Sequence, residues 1–219
     1  MLATYEKIYM LNEDLLEITP QGLWWRKNDR SYQYLYAEKE IPQTISSFCS
    51  EKRVLIQAGG HCGMFVKLYS EIFNTVYTFE PDTINFYCLT KNVTSPNTIK
   101  IQGCLGNDRK LVALSENKKT AVNSGAFNIE GSGIIPTFKI DDLNLPTCDL
   151  IHLDIEGFEG FAIEGARQTI NRCKPVIALE FRNFGVKYNF SDDKVRTLMS
   201  SLGYKEVGKV FNDVIFKHL

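Results

Sequence analysis

A chain of 219 residues, 44% hydrophobic and 23% charged, supplies one large globular core with at most a small appendage. A formal net charge of -1 excludes a strong electrostatic field for DNA, speaks against RNA, and gives no reason to expect an anionic membrane surface as partner. No apolar run approaches the roughly 20 residues of a membrane span, and Met1 to Met10 holds charges and tyrosines rather than a signal-peptide core, so a cytoplasmic chain is expected.

The first 50 residues form one unit of the expected organisation, a strand and helix extension, and residues 51–219 the other. Leu15 to Ile18 and Gly22 to Arg26 read as short strands around the Pro20-Gln21-Gly22 turn. The tyrosine-rich tract Ser31 to Ala37 reads as a further strand, and Ile41 to Phe48 as a short helix with Pro42 in its first turn. From Arg53 strands and helices alternate. Strands are expected at 53–58, 75–80, 98–102, 149–154 and 175–181, and helices at 64–73, 83–93, 158–166 and 192–202. Alternation of this kind predicts an α/β fold with a parallel sheet covered on both faces. Two last strands, near 204–207 and 213–217, have no helix between them, so they pair as a hairpin and put an antiparallel strand into the sheet. Between them and the first strands lies a weaker region. Asn117 to Gly133 is small and polar and reads as a long loop, a lid or binding loop if functional.

The chemistry concentrates at strand ends. Val54 to Ala58 runs into Gly59-Gly60-His61-Cys62-Gly63, a glycine turn where backbone can approach a ligand because no Cβ intervenes. Its spacing differs from the dinucleotide fingerprint. The next strand ends in Glu80, followed by Pro81, and a carboxylate there can accept hydrogen bonds from ribose hydroxyls. A third strand aims Asp154 at the same edge of the sheet, with Glu156 and Glu159 close behind it. His152 lies two residues before Asp154 and shares its face, so a neutral imidazole there can take a proton. Glu180 ends the following strand. Six scattered cysteines, Cys49, Cys62, Cys88, Cys104, Cys148 and Cys173, contain no Cys-x-x-Cys pair. They read as free thiols with no metal site. Trp24, Trp25, Arg26, Lys27, Asp29 and Arg30 combine flat apolar surfaces with charge, as sugar sites do.

Four segments in this order and spacing, Phe79-Glu80-Pro81-Asp82, Phe138 to Leu143, Leu153-Asp154-Ile155-Glu156-Gly157-Phe158-Glu159 and Lys174 to Glu180, resemble the FkbM-type methyltransferases. The resemblance covers roughly residues 53–181. It implies a Rossmann-like, seven-stranded sheet with a reversed last strand, helices on both faces, and S-adenosylmethionine as methyl donor. It implies transfer to oxygen of a sugar, a lipid-linked glycan or a small metabolite. Carried over by position, Gly59, Gly60 and Gly63 line the methionine end, Glu80 and Pro81 lie at the ribose, Gly103 and Cys104 border the adenine, and Asp154 faces the transfer centre. The family's glycine loop usually opens with aspartate where this chain has Gln57, whose amide can still bond the methionine ammonium. The family usually has lysine where this chain has His152. Asp154 or His152 is then the base or orienting group, with Glu180 behind it.

Three rival readings follow from the same residues. A nicotinamide dehydrogenase accounts for Glu80 but not for the glycine spacing or the final hairpin. An RNA 2′-O-methyltransferase accounts for Asp154 and Glu180 but needs lysines that the helix after Asp154 lacks. A binding module that has lost catalysis accounts for Gln57 and His152.

Overall fold

The computed structural model describes residues 13–116 and 127–219, so the reading of Met1 to Met10 and of the polar tract's residues 117–126 lies outside the described residues. The chain opens with β1 (Leu16–Ile18) and β2 (Trp24–Arg26), then α1 (Ser31–Ala37) and α2 (Ile41–Ser46). There follow β3 (Val54–Ala58), α3 (Met64–Ser70), β4 (Thr75–Phe79), α4 (Thr83–Asn92) and β5 (Thr98–Ile101). The middle holds β6 (Cys104–Leu105), β7 (Leu111–Glu116) and β8 (Phe127–Phe138). The last third runs β9 (Leu150–Leu153), α5 (Glu159–Glu164), α6 (Arg167–Cys173), β10 (Val176–Glu180), α7 (Asp192–Ser201), β11 (Tyr204–Val210) and β12 (Asp213–His218).

Seven strands make the central sheet in the order β11-β12-β10-β9-β3-β4-β5. The pairs from β10 to β5 are parallel, and β12 runs antiparallel to both of its neighbours. This is the expected seven-stranded α/β sheet with its last strand reversed, closed by the expected hairpin. Parallel strands need crossovers, and the helices that supply them bury both faces. On one face Leu55, Val76, Leu150 and Ile215 pack against Ile45, Val66, Tyr69 and Leu89 from α2, α3 and α4. On the other, Ile56, Ile151, Leu153 and Ile177 pack against Ala162, Ile163, Ile170, Leu198 and Met199 from α5, α6 and α7. Each of these apolar side chains, if exposed, would cost about 25 cal/mol per Å² of surface returned to water, which is what fixes the layer order.

Local chemistry sets the helix starts. The Asp82 carboxylate accepts the Ile84 and Asn85 N–H groups at 3.1 and 2.9 Å and so caps α4. Asp141 accepts from Gln168 and Thr169 N–H at 3.0 and 2.8 Å, capping α6, a helix absent from the sequence reading.

Two expectations are corrected. Ser31–Ala37 is a helix, not a strand. Its tyrosines favour strand locally, but Tyr32 and Leu35, three apart, both pack on the cluster around buried Trp25, and the Asp29 carboxylate accepts the Ser31 N–H at 2.8 Å. Helical spacing and a side-chain acceptor at the first turn override propensity. The second correction concerns the polar tract, whose residues 127–133 belong to β8, paired antiparallel with β7. The far end of β8 pairs in parallel with β6, so the three strands form a small sheet of their own in the order β6-β8-β7. Over 127–133 its residues are partly or fully exposed, and no buried face imposes an alternating pattern there.

The amino-terminal hairpin is clamped to the main unit by Asn92. Its amide donates to the Trp24 and Cys62 carbonyls, both at 2.7 Å, and its oxygen accepts the Trp24 N–H at 2.7 Å. Trp25 is fully buried, Trp24 meets Tyr87 edge to face, and Arg26 lies 3.8 Å from Asp82. These residues fasten the hairpin to α4. The amino-terminal part of the cavity wall described below is built instead by α1 and the residue after it.

Candidate active site

The strand register builds one row at the carboxyl edge of the sheet. Ala58 pairs with Phe79 and with Leu153, Leu153 with Leu179, and Glu180 with Asp213. One residue beyond, Glu80, Gly59, Asp154, Glu180 and Asp213 therefore stand side by side. Open α/β sheets bind ligands at this edge. Two residues back on the same face lie Thr78, Gln57 and His152, a buried polar stripe under the row.

The glycine bend is fixed by its neighbours. Gly59 and Gly60 both donate their N–H to the Phe79 carbonyl, at 3.1 and 3.0 Å. Gly59 has φ +85°, and a Cβ placed on it falls 1.9 Å from the Asp154 carbonyl oxygen, so only glycine allows β3 and β9 to lie this close here. Glu80 faces the bend. Its carboxylate accepts the His61 N–H at 2.7 Å and the Asp82 N–H at 2.9 Å. Gln57 braces the bend from below: its amide donates to the Gly59 and Ala58 carbonyls at 2.9 and 3.3 Å, and its oxygen accepts the Thr78 hydroxyl at 2.6 Å. Gly63 lines neither cavity lobe. It starts α3 with φ +89°, packed on Leu89 and Val93.

Two lobes of a cleft share Gly59, Glu80, Asp154 and Glu156. The smaller, about 50 Å³, is mostly apolar, with Phe79, Leu105, Leu114, Phe127 and Ile129 in its wall beside Pro81, Gly103 and Cys104. The larger, about 410 Å³, is polar and takes in Gln57, Gly60, His61, His152, Glu180 and Arg182, closed on one side by Ser31, Tyr34 and Glu38. The structure thus brings together Gln57, Gly59, Gly60, Glu80, Pro81, Gly103, Cys104, His152, Asp154 and Glu180. The sequence reading missed Glu38, Asp213, Arg182 and the ribbon residues. Asp213 carried a usable signal, because a reversed strand begins at the edge where the parallel strands end. Nothing in the sequence marks Glu38.

His152 has both ring nitrogens engaged, Nδ1 with the Tyr69 hydroxyl at 2.8 Å and Nε2 with Asp213 at 3.2 Å. Burial pulls its pKa down, but the charge and hydrogen bond of Asp213 outweigh burial and raise it. Asp154 opens on the cavity while protein surrounds it. Loss of bulk water and the nearby Asp213 charge raise its pKa, and its hydrogen bond with Glu180 holds it down. Glu180 is pushed to about 10 by desolvation and by the Asp154 charge. Two carboxyls this close share one proton, which sits on Glu180 and leaves the charge on Asp154. Desolvation also raises Glu80 and Glu156 to about 7, and Glu159 to about 8. Glu159 is a loop brace: it accepts the Ile155 and Gly157 N–H groups at 3.0 and 3.2 Å where the backbone turns through positive φ at Glu156 and Gly157.

These carboxyls hold protons more tightly in the folded chain than in the unfolded one. Their contribution to stability is therefore full below the unfolded value near 4.5 and is lost as pH rises through 7 and 8. Between about pH 5 and pH 8 the ligand-free chain is expected to lose a few kcal/mol, or roughly 5–10 °C in Tm. Thermal melts across that range check it, and a flat or rising Tm contradicts the assignment.

Residues 61–206 match the family model described as the methyltransferase FkbM domain, about two thirds of the chain. A search of curated protein sequences finds no match. Among solved structures, the FkbM methyltransferase from Methylobacillus flagellatus KT is similar at 17% identity and TM-score 0.48, over 77% of this chain and 44% of that one. This chain thus spans less than half the length of that relative. Trm5b from Pyrococcus abyssi is similar at 13% identity and TM-score 0.50, over 93% of this chain and 56% of that one. A TehB-like SAM-dependent methyltransferase from Corynebacterium glutamicum ATCC 13032 Kitasato is similar at 13% identity and TM-score 0.49, over 87% and 95%. At these identities the structural likeness concerns the fold alone. With the family model matched over about two thirds of the chain, including Glu80, Asp154 and Glu180, the chain belongs to the FkbM-type methyltransferase family.

Proposed function

We propose that the chain transfers a methyl group from S-adenosylmethionine to an oxygen of a sugar, a lipid-linked glycan or a small metabolite. Family membership brings S-adenosylmethionine as the donor, and the cleft suits it. An apolar lobe for a flat base adjoins a buried carboxylate for a ribose, and a polar lobe with acidic walls follows for an ammonium and a sulfonium. The observation that carries the reading is the row Glu80–Gly59–Asp154–Glu180, set by the strand register.

Glu80 would hold the ribose, Gly59, Gly60 and Gln57 the methionine end, and Pro81, Gly103 and Cys104 the base. When bound, the donor supplies an activated methyl on sulfur. The protein's own work is alignment, exclusion of water and handling of the acceptor's proton. Asp154, ionised because Glu180 keeps the shared proton, orients the acceptor hydroxyl and receives its proton. His152, tied between Tyr69 and Asp213, positions the floor beneath Asp154. The acidic walls disfavour a polyanionic acceptor such as RNA.

Label transfer from methyl-labelled donor to a panel of sugars and glycans tests the reading. Asp154→Asn is expected to lower turnover about 10²–10⁴-fold while the variant still binds S-adenosylhomocysteine. Unchanged turnover removes Asp154 from the mechanism.

A further inference from the structure

We infer that Tyr188 is a positioning residue for the methyl donor: through the Ile129 backbone it holds the β8 wall of the apolar lobe against the base. The inference rests on the S-adenosylmethionine reading of that lobe, and it assigns work to a residue outside the strand tips.

The apolar lobe has two kinds of wall. One, with Ala58, Phe79 and Pro81, belongs to the tips of the central sheet. The other is Leu114 of β7 with Phe127 and Ile129 of β8. Phe127 and Ile129 are two apart and so share a face of the strand, and Leu114 stands opposite Ile129 across the pair. Among the described residues, β6 joins this second wall only near its far end, at Thr137 and Phe138. A pair of strands without a third partner is marginal in water. The end of β8 that lines the lobe therefore needs an anchor of another kind.

The 3-10 turn Phe184–Tyr188 supplies it. The Tyr188 hydroxyl accepts the Ile129 N–H at 2.8 Å, and the neighbouring Lys187 ammonium donates to the Asn128 side-chain oxygen. The lysine bond lies in solvent, whereas the tyrosine bond is partly buried, so Tyr188 is the anchor. The tyrosine is itself held in place. Its ring stands edge to face on Phe158 with centroids 5.2 Å apart, and Phe158 is buried. Phe158 belongs to the loop that follows Asp154. That loop also touches the turn directly, since a Cβ on Gly157 would fall 2.3 Å from the Phe184 backbone. Tyr188 thus links the Asp154 loop to the far wall of the apolar lobe. A bound base shuts water out of that wall, and a strand N–H left there without a partner is costly. The Tyr188 hydroxyl removes this cost only while the wall stays where it is.

A double-mutant cycle on the full chain, read by titration calorimetry with S-adenosylhomocysteine, tests the inference. Tyr188→Phe keeps the ring on Phe158 and removes only the hydroxyl. It is expected to weaken S-adenosylhomocysteine about three- to tenfold, the equivalent of one hydrogen bond. In an Ile129→Ala background the wall no longer presents that side chain to the base. There the same change is expected to move affinity by less than about twofold. A merely structural role lowers affinity by the same factor in both backgrounds, and that result overturns the inference. Should Tyr188→Phe fail to fold, hydrogen exchange at the Ile129 amide of the unmodified chain decides. It is expected to slow at least about tenfold on saturation with S-adenosylhomocysteine, and an unchanged rate overturns the inference. No binding by the unmodified chain overturns the donor reading and this inference together. Binding that Tyr188→Phe leaves equal or makes tighter overturns this inference alone.

Discussion

Gly59→Ala is expected to lower stability by about 3–5 kcal/mol, enough to leave much of the chain unfolded. Two costs add. The residue sits at φ +85°, where an L side chain is strained. Its new methyl would lie 1.9 Å from the Asp154 carbonyl oxygen, and the obstacle is backbone rather than a flexible side chain. Neither strand can yield. The Asp154 N–H is bonded to the Ala58 carbonyl at 3.1 Å, and both Gly59 and Gly60 are bonded to Phe79 on the other side. Urea unfolding at equilibrium measures the loss. Gly131→Ala is the natural control, since φ there is +31° and nothing lies within 4 Å of the added methyl. It isolates the positive-φ cost without the clash and should lower stability by only about 1–2 kcal/mol. Comparable losses for the two variants would mean that the close approach of β3 and β9 at the bend is not what the glycine serves.

The central sheet was legible because its strands are buried on both faces. Val54 to Ala58 and Val176 to Glu180 read as near-continuous apolar runs, and helices fall between them at regular intervals. The closing hairpin followed from the missing helix between β11 and β12. The elements that escaped obey tertiary constraints invisible in a local window. The tract at Ser31–Ala37 has strand-forming tyrosines, yet packing on Trp25 makes it helical. Residues 127–133 of β8 lack a buried face and so lack a period. Helix α6 depends on a cap from Asp141, 28 positions before Thr169.

The site divides in the same way. Glu80, Asp154 and Glu180 could be found because each ends a parallel strand, and parallel strands end at one edge. Other motif residues have structural work instead. Asp141 caps a helix, Glu159 braces the loop after β9, and Gly63 starts α3. Ser31, Tyr34 and Glu38 reach the cleft only because the amino-terminal segment is docked. The Asn92 clamp fastens its hairpin, and Asp29, 3.5 Å from the His61 ring, links it to the glycine bend. No spacing rule in the sequence relates residue 38 to residue 154.

Glu80→Ala is the second large effect expected. The carboxylate is 5% exposed and already accepts two backbone N–H groups, and its remaining lone pairs are the acceptors available to a ribose. Buried hydrogen bonds to a charged acceptor contribute about 1.5–3 kcal/mol each. Loss of two of them weakens a ribose-bearing ligand by roughly 10²–10⁴-fold. Removal of the carboxylate also strands the His61 and Asp82 N–H groups, so the bend itself loosens. Glu80→Gln keeps one oxygen as acceptor and should fall between the two. Titration calorimetry with S-adenosylhomocysteine on the unmodified chain and on Glu80→Ala decides the matter most directly. One-to-one binding that weakens at least about a hundredfold in the variant is the expected result. No binding to the unmodified chain, or equal affinity in both, contradicts a donor site built from the glycine bend and this acid.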